Sequence, residues 1–380
     1  MVSNATHSMF PGATRDEQAR QDFVRVFKLT VQKDIGPGNR AIYNTWIETD
    51  YKKDRKNKIT RTDIRLALAK HPYNQMWSSL LRTSQEMLCD SVGPSIERQL
   101  PQLVEQARKR RAAGVGSLNL DPKLEIPKYH TAVNIHCKPG GYHTELLKSD
   151  DVFAGAEYDR TVNMYLMGAL GPNNDDIGAS LAAAIRETYP QLAPRRILDI
   201  GCTIGHSTLA WCDAYPNAQI HAIDVAGPCL RYGYARADAL NKSVHFHQMN
   251  AERTAFADGY FDIVVSHIMM HETSSAALPQ IFKECHRLLV DGGVMAHADS
   301  RNSDSQAFDQ YQQEWDAHYN NEPFFGTLHD TDLRELATTA GFLPGSVWEK
   351  RIPSQYRPGS SEHHINQAMK GSYFTIGACK

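Results

Sequence analysis

The chain has 380 residues, of which 41% are hydrophobic and 22% charged, with 41 Lys and Arg set against 43 Asp and Glu. That length exceeds the ~150-residue domain prior, so a catalytic domain with a substantial extra region is expected, and the composition is ordinary for a soluble globular protein. A net charge of -2 excludes a global pull toward nucleic acid or an anionic membrane, and no stretch approaches the ~20 apolar residues of a membrane span.

Residues 1–120 read as an α-helical N-terminal region. Helix-spaced apolar residues run over 22–34, 63–70, 77–87 and 96–113, with few β-branched runs. The basic stretches Lys52–Lys58 and Arg108–Arg111 read as solvated faces, because no aromatic residues interleave them. The start of the chain has no basic segment followed by an apolar core, and the seven cysteines are scattered without a C-x-x-C pair. A cytoplasmic location is therefore expected, with most cysteines as small buried fillers.

Residues 121–190 form a connector rich in polar and aromatic chemistry. Asn134-Ile-His136-Cys-Lys138-Pro-Gly140-Gly141-Tyr142-His143 places a turn among histidines, and Tyr158 and Tyr165 follow. Such a segment beside a cofactor domain suits a lid. His136, Tyr142, His143, Tyr158 and Tyr165 are its expected substrate contacts.

From residue 191 the pattern changes to short apolar strands alternating with helices, the signature of a parallel sheet. Ile197, Leu198 and Ile200 run into Asp199-Ile-Gly201-Cys-Thr203-Ile-Gly205, a turn whose glycines allow close backbone approach to a ligand. A second strand, Gln219–Asp224, ends in an acid placed to accept hydrogen bonds from both hydroxyls of a ribose. A dinucleotide would need its pyrophosphate on a turn with a third glycine. Here that glycine is missing, and Asp199 would repel a phosphate while suiting a cationic sulfonium ligand.

These segments, in this order, resemble the class I S-adenosylmethionine-dependent methyltransferases. Asp199 to Gly205 is similar to that family's first motif, Asp-x-Gly-x-Gly-x-Gly, with Thr203 in place of the middle glycine. Asp224 matches the ribose-binding acid, and Asn250-Ala251-Glu252 with Phe256 resembles the segment beside the adenine. Phe261–Ser266 and Arg287–Gly293 resemble the fourth strand and the turn before the fifth. The resemblance implies an α/β, Rossmann-like, seven-stranded, mostly parallel sheet flanked by helices over residues 191–380, its last two strands antiparallel at the edge. It implies S-adenosyl-L-methionine as cofactor and S-adenosyl-L-homocysteine as product, with contacts from Asp199, Gly201, Thr203, Gly205, Asp224, Asn250, Ala251, Glu252, Ser266 and His267.

Chemistry is expected where loops meet at the carboxyl ends of the strands. The loop after strand four reads Ser266-His267-Ile-Met-Met-His271-Glu272. Histidine suits the removal of one proton from an acceptor, because its pKa lies near neutrality. His271 is the first candidate base, His267 the second, and Glu272 a group that orients the imidazole. Asp299, at the end of strand five, is a further substrate contact. Asp299, His267 and His271 are conceivable metal ligands, but no metal-like spacing occurs and none is expected. The insert 300–327 carries an aromatic stripe read first as packing. The sequence therefore points to methyl transfer onto a small-molecule metabolite at an O, C or N atom. An RNA or protein methyltransferase, or a cofactor-binding module without turnover, is the alternative. A homodimer through the helical N-terminal region is left open, and no nucleic-acid or membrane partner is expected.

Overall fold

A computed structural model describes residues 7–54, 58–166, 169–301, 305–356 and 371–380. The short apolar runs become eight strands: β1 (Ser117–Asn119), β2 (Arg196–Ile200), β3 (Gln219–Asp224), β4 (His245–Gln248), β5 (Phe261–His267), β6 (Leu289–Asp299), β7 (Val347–Pro353) and β8 (Ser372–Cys379). They form one sheet in the order β1-β4-β3-β2-β5-β6-β8-β7. The pairs from β1 through β6 are parallel, and β8 runs antiparallel to both β6 and β7.

Both faces of the central strands are covered, which is why their sequences are continuous apolar runs rather than alternating ones. Ile197, Ile263 and Val265 pack with Leu181, Ile185 and Trp211 on one face. Leu198, Ile200 and Val264 pack with Ile281, Phe282 and Leu333 on the other. The strand order reverses at β2, whose neighbours are β3 and β5, so the crevice for a ligand opens beyond the ends of these three strands. The helix Leu333–Ala340 ends at Gly341 with φ 116°, a left-handed cap that glycine takes without a Cβ penalty.

The eighth strand corrects the expectation of seven. Ser117, Leu118 and Asn119 pair with His245, Phe246 and His247 inside the stretch read as helical up to residue 120. Three residues are too few for a period-2 signal, and the pairing partner is remote in sequence.

The helices read at 77–87 and 96–113 are a single helix, Pro72–Ala113, which runs through Pro94 and Pro101. A proline inside a helix removes a hydrogen bond and crowds the preceding turn. Here the flanking Val92, Ile96, Leu100 and Leu103 are buried against the helices Phe153–Leu166 and Gly227–Ala239, and that packing overrides the local break. The Gln21 amide also donates to the Ser91 carbonyl at 3.1 Å. Among the described residues no helix is long and apolar enough to cross a membrane. The basic run is tied to carboxylates: Arg108 and Arg111 to Asp150, Lys109 to Glu105, and Arg110 to Asp238.

The helix Ala307–Tyr319, within the aromatic insert, packs under the N-terminal helices. Phe308 and Tyr311 are buried with Tyr43, Ile64 and Leu68. The Tyr311 hydroxyl donates to Asn74 Oδ1 and the Trp315 indole to Ser78 Oγ, each at 2.8 Å. This matches the packing role read from the sequence. All seven cysteines are free, and Cys89, Cys137, Cys202, Cys229 and Cys285 are buried.

His221 of β3 and His247 of β4 meet at 3.2 Å between ring nitrogens, with Phe256 and Tyr260 around them. Burial, then neighbouring histidine charge, pulls their pKa values down to about 3 and about 4. In the unfolded chain both return to roughly 6.5. The unfolded state therefore binds more protons between those values, so this contribution to stability is whole above about pH 6.5 and shrinks as pH falls toward 4. Urea unfolding at pH 7 and pH 5 is expected to show a lower midpoint at pH 5, with part of the loss recovered in His247→Gln. An equal loss in that variant would assign the acid sensitivity to other groups.

Candidate active site

The turn after β2 is built on positive backbone angles. Gly201 has φ 70°, and a Cβ there would lie 2.5 Å from Met269 Cγ, so only glycine fits. Asp224 locks this turn to the end of β3. Its Oδ2 accepts the Thr203 N–H at 2.8 Å and its Oδ1 the Ala226 N–H at 2.9 Å. Burial raises the pKa of the carboxyl, opposed chiefly by these backbone donors.

Thr203 takes the middle-glycine position at φ 52°, where a β-branched residue is strained. Thr203→Gly should relieve that strain and raise stability by about 1 kcal/mol after the added freedom of the unfolded glycine is counted. A thermal melt that does not move upward would mean that contacts of the threonine side chain offset the strain.

Above this turn lies a cavity of about 1080 Å³, including the solvent at its mouth. Gly201, Thr203, Asp224, Asn250 and Ala251 form its floor, and the connector supplies Tyr129, His136, Tyr142, His143 and Tyr158 as its roof. No Lys or Arg is among these lining residues. A pyrophosphate would find no Lys or Arg side chain here. A sulfonium nucleoside would find a carboxylate at the ribose position and aromatic rings suited to a cation. The residues present thus fit S-adenosyl-L-methionine, and Asp224, Met249, Asn250 and Ala251 all line the cavity.

Several expected contacts stand behind the walls instead. Asp199 is buried, with Oδ2 taking the Thr208 hydroxyl at 2.5 Å and Oδ1 facing His267 Nδ1 at 3.1 Å. Ser266 is fully buried against His297 Nδ1 at 2.8 Å. Gly205 shapes the turn without lining the cavity. Glu252 lies beside the cavity rather than on it, bonded to the Asn250 amide at 3.2 Å and to the Tyr129 hydroxyl at 3.4 Å. Asn250 does line the cavity, although its Oδ1 also accepts the Glu252 N–H in a local turn.

A second cavity, about 1140 Å³ including open solvent, continues from the first. His136, Tyr142, Tyr158, His267 and Ile268 line both. Tyr165, Leu170 and Phe325 give the second cavity apolar and aromatic walls, while His271, Asp316 and Glu322 give it polar ones. Ile268 has φ 57°, another β-branched residue in a left-handed conformation. Burial pushes Asp316 up to about 6, moderated by the buried Lys28 ammonium.

The two loop histidines differ. The Trp211 indole N–H donates to His267 Nε2 at 3.3 Å, which puts the His267 proton on Nδ1, toward Asp199. Both nitrogens are thus engaged and His267 is a wall of the cavity. His271 is buried, with Nδ1 at 2.6 Å from Asp299 Oδ1. Asp299 also accepts the backbone N–H groups of Met270 at 2.9 Å and Ser300 at 2.7 Å. It is fully buried, so the expected substrate contact at Asp299 is corrected to a support for His271. Burial alone would lower the pKa of His271, but Asp299 and Glu272 hold it well above the ordinary value. His136 is raised to about 10 by Glu272 and Glu322 against the opposing effect of burial. Glu322, two residues beyond the C-cap of the helix Ala307–Tyr319, was not anticipated, because no spacing links it to His136 or His271.

Residues 197–293 match the family described as "Methyltransferase domain". A malonyl-[acyl-carrier protein] O-methyltransferase of Legionella pneumophila is 30% identical over 146 residues, covering 36% of this chain and 50% of that enzyme. A demethylmenaquinone methyltransferase of Thermus thermophilus is 32% identical over 101 residues, 27% of this chain and 45% of its own length. The chain spans about half the length of such curated relatives. Among solved structures, Haemonchus contortus phosphoethanolamine N-methyltransferase 2 in complex with S-adenosyl-L-methionine is 17% identical with a TM-score of 0.39, covering 57% of this chain and 56% of that one. The matched segment carries a methyltransferase domain, and its strand-end acids and parallel sheet make it similar to the class I S-adenosylmethionine-dependent methyltransferases.

Proposed function

We propose that this chain transfers a methyl group from S-adenosyl-L-methionine to a small amphipathic metabolite seated in the second cavity. The observation that carries this reading is the continuity of the two cavities through His136, Tyr142, Tyr158, His267 and Ile268. A donor above Asp224 and an acceptor beside His271 would face each other across that shared wall, and alignment of this kind supplies much of the acceleration in a displacement. Tyr165, Leu170 and Phe325 suit an apolar body, and His271 with Glu322 suits a polar reacting end. In this reading residues 191–380 hold the cofactor, the connector 121–190 roofs it, and the helical region 1–120 braces the insert that closes the acceptor side.

The names of the relatives point to different acceptors, a malonyl-[acyl-carrier protein] and a demethylmenaquinone, so the acceptor here rests on the cavity itself. Pairing of Arg108, Arg110 and Arg111 with carboxylates disfavours an RNA substrate. The test is calorimetric titration with S-adenosyl-L-homocysteine, followed by a screen of small carboxylic acids, phenols and amines for its release from S-adenosyl-L-methionine. Tight binding with turnover of one class supports the reading. Tight binding with turnover of none would make the chain a cofactor-binding module.

A further inference from the structure

Two histidines and two glutamates from three distant parts of the chain converge at the seam between the cavities. His136 Nε2 lies 2.7 Å from Glu272 Oε1, and its Nδ1 lies 3.2 Å from Glu322 Oε1. One donor atom from each of these three residues lies within 4.8 Å of the others. His271 Nε2 adds a fourth donor, 3.6 Å from Glu272 Oε1 and 3.8 Å from Glu322 Oε2. His136 meets the two glutamates through different ring nitrogens, so one ion would take only one of them, and the separations of His271 Nε2 lie near the about 3.0 to 3.4 Å expected between ligands bonded to one ion at about 2.1 Å.

Three independent features point the same way. Glu272 Oε2 is buried and has no hydrogen-bond partner among the described residues. The Nδ1 of His271 is held by Asp299, which aims Nε2 at the cluster in the carboxylate–histidine–metal arrangement. His136 sits at φ 55°, a conformation that costs energy and persists where the surroundings demand it.

We propose that His136, His271, Glu272 and Glu322 form a site for one divalent transition-metal ion, which would hold an oxygen-bearing acceptor at the wall it shares with the methyl donor. The site is a property of these four side chains, and only its role toward the acceptor rests on the methyl-transfer reading. Two imidazoles with two carboxylates favour manganese, iron, cobalt or zinc over the all-oxygen preference of calcium and magnesium. Two carboxylates also balance the charge of the ion, which displaces the protons that the histidines otherwise keep. No metal is expected from the sequence, and of Asp299, His267 and His271 only His271 belongs to this cluster. His267 has both nitrogens engaged and Asp299 stands one layer behind.

The full chain, stripped with EDTA and exchanged into metal-free buffer, is titrated with Mn²⁺ followed by electron paramagnetic resonance, and with Co²⁺ followed by visible absorption. One ion per chain is expected, bound in the micromolar range or tighter, with little competition from Mg²⁺ or Ca²⁺. Glu322→Gln and His271→Ala should each weaken Mn²⁺ binding at least tenfold, and Asp299→Asn about 10- to 100-fold by releasing the His271 ring. S-adenosyl-L-homocysteine affinity should stay within a few-fold in each variant, which keeps loss of the ion distinct from loss of the fold. Absence of saturable Mn²⁺ or Co²⁺ binding by the unmodified chain overturns the proposal, as does unchanged affinity in a Glu272→Gln, Glu322→Gln double variant. A chain that binds the ion but not S-adenosyl-L-homocysteine would keep the site and remove the methyl-transfer reading.

Discussion

Asp159→Ala is expected to cost about 3 to 5 kcal/mol of folding stability, more than any other single change considered for this chain. The carboxylate lies in the helix Phe153–Leu166, buried with His7 Nε2 at 3.0 Å, His206 Nε2 at 2.8 Å and the Tyr232 hydroxyl at 2.8 Å. Burial opposes its charge, yet the hydrogen bonds from His206 and His7 and the nearby Arg236 hold its pKa well below the usual carboxylate range. The Nε of Arg236 lies 3.6 Å away, and Arg236 itself is buried, so this anion is its counter-charge. Removing it leaves a cation in the core whose Nε and Nη1 already lack hydrogen-bond partners among the described residues. Asp159→Asn keeps an acceptor without the charge and should fall between the two. Urea unfolding followed by circular dichroism reads the difference. A change below about 1 kcal/mol in the alanine variant would mean that water or a rearranged carboxylate meets Arg236 instead.

Asp224→Ala should weaken binding of S-adenosyl-L-homocysteine tenfold or more. Each carboxylate oxygen already accepts one backbone N–H, from Thr203 or Ala226, and has a second lone pair for a ribose hydroxyl. Loss of one charge-assisted hydrogen bond, about 1.5 to 3 kcal/mol, corresponds to at least that factor. The same substitution orphans the N–H of Thr203 and so loosens the turn, which is why Asp224→Asn belongs beside it. The amide retains one acceptor oxygen and should bind more tightly than the alanine variant. Calorimetry on folded protein that finds both variants equal to the parent would remove Asp224 from the ribose site.

The sheet was legible because its strands are buried on both faces and therefore read as unbroken apolar runs. Asp224 was legible because a strand ends on it at a fixed distance from Asp199. The strand at Ser117 was not, since three residues carry no period and pair only with a remote segment. Nor was the continuity of the helix Pro72–Ala113, where buried neighbours outweigh the local cost of Pro94. At the site, residue types were easier to foresee than orientations. His267 and His271 lie four positions apart, yet Trp211 and Asp199 consume one ring while Asp299 turns the other toward Glu272 and Glu322. No local pattern carries that difference, because Trp211, Asp199, Asp299 and Glu322 come from four separate parts of the chain.

Ile268 gives the wall between the cavities an unusual stiffness. Its neighbour His267 is pinned by Trp211 and Asp199, and the chain two residues on is pinned by Asp299 through the Met270 N–H. The same side chain lines both spaces. A partition clamped at both edges yields to neither side. Each space therefore keeps its own size, and bulk added to a ligand on one side is resisted by the wall itself and not passed on to the other.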